Sequence, residues 1–546
     1  MTADTATVLD YPAVTMAVLA PSMAKLYRNR AAVVDGDRTI TYADLDTRSA
    51  AVAAALRDAG VADRDVVLLR LSNSIEFVVA YYGSLRAGAT VTLVNPLQPV
   101  PGLRRQIVET GAVAAFTQVD QAVRLVEAVE ETALRTIVVV DSPDPVPGTR
   151  TLDAFVAGRT TAPAVAVTSE DVAHLAFTGG TTGVSKGVRV LHRNVIANVT
   201  QMIGWRAGHS VVVGDDGLVH LEKRDGADAR GVVPGEAATV VVSPLFHAHA
   251  LINMSFLLLC GATQVLAGRF EPGRMLELVE RHRATYVTGS PAMWHALATH
   301  PDVAVRDLSS VRVVSSGAAP IDRVTLEHLE AAFPSGSVVE GYGLTEATCL
   351  VSSAPLTDGG EYRLGSVGVP TYDTEVQIRS VDEPGVVLGA GERGELWVRG
   401  PQVTDGYLNH PEITAVQYVD GWLDTGDIAF RDDDGYLYIC DRAKDMLIYK
   451  GYNVYPRELE EILVTHPDVG SAAVVAREAG SVGQEPVAFL VPKPGHVVDP
   501  EVVQAFVAEQ VLPYKKIRDV FIVDALPTSA AGKIQKVALR ERLAAG

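Results

Sequence analysis

Short apolar runs alternate with amphipathic helical stretches along most of this chain, which restricts it to α/β architectures. Thr41 can cap a helix with Asp44 three residues on; Leu45, Val52 and Leu56 then share one face, and Gly60 supplies the stop. The run 66–69 is apolar enough for a buried strand, and a second helix leads to the strand-like run 90–94. The pattern returns at Pro272, which suits a first helical turn. Met275, Leu278 and Val279 follow on one face, and a strand starts at Tyr286. Repeated units of this kind predict a largely parallel sheet.

Residues 206–238 break the rhythm. They are rich in Gly, Asp and Arg with short valine runs, and are expected to form a surface excursion containing a hairpin. From about Gly389, glycines and acidic residues punctuate short strands (GELWVRG, GYLYIC), which predicts smaller β-rich units. After Asp441 comes a compact tail with its own helices and valine strands. The 546 residues allow three to four folding units at roughly 150 residues each.

The charge balance excludes some partners. Lys plus Arg number 47 against 66 Asp plus Glu, a net charge of −19, with no local basic run. Such a surface repels phosphate backbones and anionic lipid, so neither nucleic acid nor a membrane surface is expected as a partner. A small polyanionic ligand remains open, since a site needs only a few cations and oriented amides. Cys260, Cys349 and Cys440 are too widely spaced for a disulfide scaffold or a metal knuckle. With no secretory signal at the N-terminus, a cytoplasmic location is expected. The stretch 250–268 carries no charge, but Gly261 splits it into a helix and a buried strand, so no membrane span is expected.

Five segments carry candidate chemistry. In HLAFTGGTTGVSKGVRV, a strand leads into Thr178, Gly179, Gly180, Thr181, Thr182 and Gly183, followed by Ser185 and Lys186. Backbone amides and hydroxyls there can close around phosphate oxygens, and Lys186 supplies a counter-charge. This is not a Walker A loop, which needs Gly directly before Lys and Ser or Thr after it; a flexible hairpin with a solvated lysine explains the run taken alone. EGYGLTEAT places the ring of Tyr342, the hydroxyl of Thr345 and the carboxylate of Glu346 within one short segment, suiting a base, a phosphate and a divalent cation. A tight turn capped by Thr345 explains the same residues. In GWLDTGDIAF, Asp427 follows a Thr-Gly turn, where a carboxylate can accept both hydroxyls of a ribose. The run 441–461 carries Arg442, Lys444, Lys450, Gly451 and Pro456, and LPTSAAGKIQK carries Lys533.

Taken in order, these segments resemble the adenylate-forming superfamily of acyl-CoA synthetases, 4-coumarate-CoA ligases, firefly luciferases and peptide-synthetase adenylation domains. The resemblance runs from AAVVDGDRTITYADLD at 31–46 to Gly532 and Lys533. It implies an α/β fold with a large N-terminal domain over 1–440, built of two α/β subdomains and a small β-rich one. A small mobile α+β lid domain over 441–546 would follow. It also implies an AMP-forming ligase that uses ATP to make an acyl or aryl adenylate, releases pyrophosphate, and forms a thioester with coenzyme A or carrier-protein pantetheine. By the same resemblance, 178–186 is the phosphate loop. Ser316, Gly317, Ala318, Ala319 and Pro320 border the adenine and acyl pockets, and Gly341 and Tyr342 flank the base. Thr345 is an α-phosphate ligand, Glu346 the Mg²⁺ carboxylate, Asp427 and Arg442 the ribose clamp, and Lys533 the adenylation lysine. His247 would lie close to the adenylate, with His249, Asn253 and Gly317 in the substrate pocket. The hinge falls between Arg442 and Lys444, and a thiol-step face with Lys450, Gly451 and Tyr452 would replace Lys533 after adenylation.

Three departures from the family pattern stand out. Ser185 replaces the usual proline of the phosphate loop, removing a constraint on φ. The 206–238 excursion is longer than expected, with neutral decoration, a lid or a docking surface as its readings. In PLFHAHALINM, His249 stands where coumarate ligases often carry an aromatic, which makes the pocket more polar. The His247/His249 pair has no nearby Cys or carboxylate, so packing and substrate contact are expected rather than a metal. Two rival functions follow: adenylation with a non-thiol acceptor, such as nitrite activation for diazotisation of an aryl amine, and a catalytically silent scaffold. Intact Glu346, Asp427, Arg442 and Lys533 weigh against the scaffold.

Overall fold

The computed structural model describes residues 8–178, 185–225, 231–317, 321, 323–356, 362–383, 385–450, 452–528 and 534–545. A seven-stranded sheet runs in the order Arg150–Thr151, Thr136–Val139, Ala114–Thr117, Val66–Arg70, Thr90–Leu93, Val172–Thr178, Lys186–Leu191. All its pairings are parallel except the last, where Val172–Thr178 turns back antiparallel onto Lys186–Leu191. The capping pair forms as expected: Asp44 N donates to Thr41 Oγ1 at 3.1 Å, Thr41 N donates to Asp44 Oδ2 at 2.9 Å, and the helix spans Tyr42–Asp58.

A second sheet pairs Ala238–Val241, Thr263–Leu266 and Ala31–Asp35 in parallel, with Arg38–Thr41 antiparallel at its edge. A third sets Tyr286–Gly289, Val313–Ser316 and Ser337–Gly343 side by side in parallel. The uncharged stretch divides as read: helix Ala248–Leu259, then strand Thr263–Leu266. Gly261 between them has φ 73°, and a Cβ there would lie 2.5 Å from the Tyr27 ring, so both the turn and the close approach require glycine. Among the described residues no helix is long and apolar enough to cross a membrane.

The 206–238 segment is only partly a surface excursion. Helix His192–Ala207 runs into it, and Arg206 and Ala207 are buried. Gly208 ends the helix in the left-handed conformation, the hairpin of His209–Val213 with Val219–Lys223 follows, and the chain returns through buried Val232.

Beyond this, Glu375–Arg379, Gly394–Arg399, Trp422–Arg431 and Leu437–Arg442 form an antiparallel sheet. In the tail, Val469–Glu478 and Gln484–Pro492 pair antiparallel, Asp519–Ile522 joins in parallel, and Leu447, Leu459, Leu463, Val474 and Leu490 form a separate core. The architecture is thus α/β with a large N-terminal and a small C-terminal domain. The absence of a basic run also proves a poor guide to local charge: Arg30, Arg281, Arg283 and Arg312 meet around a cavity of about 1000 Å³. Its charge is partly neutralised, because Arg281 pairs with Glu277 and Arg283 with Asp307, while Arg30 is held by the Gly261 and Ala237 carbonyls.

Candidate active site

The parallel strands of the third sheet end together, with Gly289 beside Ser316 and Ser316 beside Glu340. Their carboxyl ends therefore bring Gly317, Gly341 and Tyr342 to one edge, the place where open α/β sheets bind ligands. The chain then makes a tight 3₁₀ turn, Thr345–Ala347, and leaves it through Thr348 at φ 62°, ψ −58°. A β-branched residue is strained there. The Thr348 hydroxyl donates to the Gln402 carbonyl at 2.7 Å and holds the turn in place.

That turn aims Glu346. Its backbone carbonyl accepts from both the amide and the hydroxyl of Thr404, each at 2.9 Å. Its Oε1 accepts from the Tyr407 hydroxyl at 2.8 Å, and Oε2 has no hydrogen-bond partner among the described residues. Burial, and then the neighbouring Glu346 carboxylate, raise the Tyr407 pKa, so its hydroxyl stays a donor. Lys186 lies over the same ring, its Nζ 5.6 Å from the centroid. Lys186 pairs with Thr178 across the antiparallel ladder, and Arg189 N donates to Gly406 O while Leu408 N donates to Gly187 O. The base of the candidate phosphate loop is thereby knitted to the segment that carries Tyr407, with Lys186 and Glu346 against one tyrosine.

A second cluster surrounds Asp427, which is 3% exposed. Its Oδ2 accepts from the Tyr342 hydroxyl at 2.5 Å and its Oδ1 from Arg442 Nε at 2.8 Å. Asp427 and Arg442 face each other across adjacent antiparallel strands, so the pair is set by register. Burial, reinforced by Asp427, keeps Tyr342 protonated. Beneath lies Glu340, buried, accepting from Ile321 N at 2.9 Å and from the Tyr362 hydroxyl at 3.0 Å. Burial pushes its carboxyl up to about 7.

In the pocket region, His247 is the residue preceding helix Ala248–Leu259, its ring 4.6 Å from that of Phe246. His249 Nε2 stands 3.6 Å from where a Cβ on Gly317 would be, and Asn253 Nδ2 donates to the His249 carbonyl at 2.8 Å. Among the described residues no group of three or more His, Cys, Asp and Glu has the arrangement of a metal site. Farther along, burial and the neighbouring Arg442 lower the pKa of Lys444. Lys450 has φ 52°, and Tyr452 stacks on Tyr514 with centroids 4.6 Å apart. Gly179, Gly180, Thr181, Thr182, Gly183, Ala318, Ala319, Pro320, Gly451 and Lys533 lie outside the described residues. Tyr407 was not singled out from the sequence, since nothing local marks it; Glu340 sits inside a singled-out motif, but only its burial marks its carboxyl.

The fold and these two clusters define an AMP-forming ligase, which joins an acid to a thiol through an adenylate. The chain belongs to the AMP-binding enzyme family, which matches residues 22–408, and the AMP-binding enzyme C-terminal domain matches 458–533. It is 35% identical over 533 residues to 4-coumarate–CoA ligase 5 of Oryza sativa subsp. japonica, covering 95% of this chain and 93% of that one. Among solved structures it resembles ATP-bound MatB from Rhodopseudomonas palustris, with a TM-score of 0.84, 25% identity, and coverage of 96% of this chain and 98% of that one. It also resembles the amide bond synthetase McbA from Marinactinospora thermotolerans, with a TM-score of 0.82, 27% identity, and coverage of 96% and 99%.

Proposed function

We propose that this enzyme activates a small carboxylic acid with ATP and passes the acyl group to the thiol of coenzyme A. The observation that carries this reading is the adjacency of two clusters contributed by separate motifs: Tyr342, Asp427 and Arg442 in one, Lys186, Tyr407 and Glu346 in the other. Asp427, paired with Arg442, accepts the ribose hydroxyls, while Tyr342, Gly341, Gly317, Ala318 and Ala319 border the base. Thr178, Gly179, Gly180, Thr181, Thr182, Gly183 and Lys186 hold the outer phosphates, and Thr345 the α-phosphate.

Magnesium fits Glu346, whose Oε1 is fixed by Tyr407 while Oε2 points to no protein donor among the described residues. When bound, the ion neutralises phosphate charge. In the first step a carboxylate oxygen of the acid bonds to the α-phosphorus as the bond to the bridging oxygen of the β-phosphate breaks, and pyrophosphate leaves. Lys533 stabilises the charge that builds on the oxygens, and His247 borders the reacting carboxylate. The thiolate then attacks the acyl carbon and AMP departs. Between steps the domain over 441–546 turns on the hinge between Arg442 and Lys444 against the domain over 1–440, bringing the face of Lys450, Gly451 and Tyr452 to the site.

The test is carboxylate-dependent pyrophosphate release by the wild type and by Lys533→Ala. Release is expected to collapse in the variant; unchanged release sinks the assigned role. Thioester formation with coenzyme A against a pantetheinylated carrier protein identifies the thiol. A second reading, a non-thiol acceptor, is favoured by the resemblance to an amide bond synthetase and by the polar His249. AMP formation without thioester, on supplying an amine, or nitrite with an aminoarene, would establish it.

A further inference from the structure

The substrate side of the site contains a cation that no step above uses. Arg206, in the last turn of helix His192–Ala207, is 4% exposed. Its Nη1 donates to the Ser315 hydroxyl at 3.1 Å and its Nη2 to the Ser353 hydroxyl at 3.2 Å, and the guanidinium lies over the Tyr286 ring, 5.6 Å from the centroid. Its Nε is buried without a partner, and among the described residues no carboxylate pairs with it. A buried guanidinium held, among the described residues, by neutral hydroxyls alone is unusual, because removing the charge from water is repaid only by an anion and a full set of acceptors. The lack of that repayment shows in its acidity, which burial moves down to about 10.

The guanidinium lies beside Gly341, at the carboxyl end of the third sheet. Its Nη2 lies 3.7 Å from where a Cβ on Gly341 would be. A Cβ on Gly317 would stand 3.9 Å from the Gly341 carbonyl and 3.6 Å from His249 Nε2. Gly317 and Gly341 therefore stand between His249 and Arg206, with Leu350 Cδ1 and the Ser352 carbonyl also packed close to Gly341, at 3.2 and 3.3 Å from a Cβ there. The return of the 206–238 segment fixes this end of the helix: Val232 N donates to the Arg206 carbonyl at 2.8 Å, and a Cβ on Gly231 would lie 2.3 Å from that oxygen, so only glycine permits the approach. The segment thus buttresses Arg206, which neutral decoration would not require.

We propose that Arg206 is an anion-binding subsite at the inner end of the acid pocket, and that the enzyme's acid carries a second carboxylate held there while the first is presented to ATP. Guanidinium and carboxylate match in charge and in paired hydrogen-bond geometry. The proposal rests on the ligase reading and specifies its substrate class.

The experiment compares pyrophosphate release with matched acids that differ by one carboxylate: hexanoate against adipate, and cinnamate against 4-carboxycinnamate. In the wild type, at least one diacid is expected to exceed its monoacid partner in kcat/KM by about tenfold or more. In Arg206→Gln that ratio is expected to fall by about tenfold or more, and Arg206→Lys to retain part of it. Equal or greater use of both monoacids by the wild type overturns the subsite, as does an unchanged ratio in a folded Arg206→Gln; the wild-type comparison needs no variant to fold. If no acid releases pyrophosphate, the ligase reading falls separately. The subsite is then judged by calorimetric titration of the two diacids into ATP-loaded wild type, where absence of binding overturns it and binding tighter than the monoacids upholds it.

Discussion

The hydroxyl of Tyr342 donates to Asp427 at 2.5 Å across 85 residues of sequence, and the same carboxylate receives Arg442 on its other oxygen. One buried carboxyl group thus ties the last strand of the third sheet to the antiparallel sheet and to the first residues of the C-terminal region. A nucleotide bound here would meet a carboxylate already ordered, so little reorganisation remains for binding.

Replacing that anion tests the assignment. Asp427→Ala leaves Tyr342 and Arg442 without their shared acceptor and removes the proposed ribose contact. ATP affinity measured by calorimetry is expected to fall about 100-fold, the order of two lost charge-assisted hydrogen bonds. Affinity within about twofold of wild type would refute the ribose role.

Tyr407 acts through Glu346. Tyr407→Phe keeps the ring beneath Lys186 and deletes the hydroxyl that bonds Glu346 Oε1 and Gln417 Oε1. The Mg²⁺ concentration for half-maximal pyrophosphate release is expected to rise about tenfold, in line with losses of outer-sphere partners, with a much smaller change in melting temperature. A matching loss at saturating Mg²⁺ would instead mark a structural role.

Glu340 makes stability depend on pH. Its folded carboxyl titrates at about 7 because of burial, against an ordinary value of 4.5. Between those values the folded state binds more protons than the unfolded one, so stability falls as pH rises from about 4.5 to about 7 and levels off above. Glu340→Gln retains an acceptor for Ile321 N and removes the charge. Relative to wild type it is expected to be nearly neutral at pH 5 and more stable by about 1–3 kcal/mol at pH 8, read from denaturant midpoints. A difference that does not grow with pH contradicts this.

Gly343 has no room for a side chain: a Cβ there would lie 1.5 Å from the Cys349 carbonyl oxygen. Gly343→Ala must push the strand end away from the segment it pairs with. A loss of about 3 kcal/mol or more is expected, with loss of ATP binding as Tyr342 and Glu346 shift. A melting temperature equal to wild type would show that the turn yields without consequence.

The local signals that were legible share one property, that their partners lie nearby in the chain. Thr41 and Asp44 are three residues apart, and Gly261 needs only its own turn and the end of a helix to divide an apolar stretch. Tyr407 reaches Glu346 across 61 residues, and Arg206 reaches Ser315 and Ser353 across 109 and 147. No periodicity encodes such meetings. The Gly/Asp-rich run beginning at Arg206 is polar and points to a surface segment, whereas the helix that ends there carries the residue inside.

By itself the sequence determined the class of element at each position, the order of the chemical motifs, and through that order the family, because propensity, caps and apolar spacing act over a few residues. Only the tertiary structure decided which carboxylate is shared by Tyr342 and Arg442, which tyrosine stands between Lys186 and Glu346, and that Arg206 is buried with no carboxylate partner among the described residues. Those relationships arise where strands from distant segments end side by side, and burial there changes the energy of a charge far more than its neighbours in sequence can.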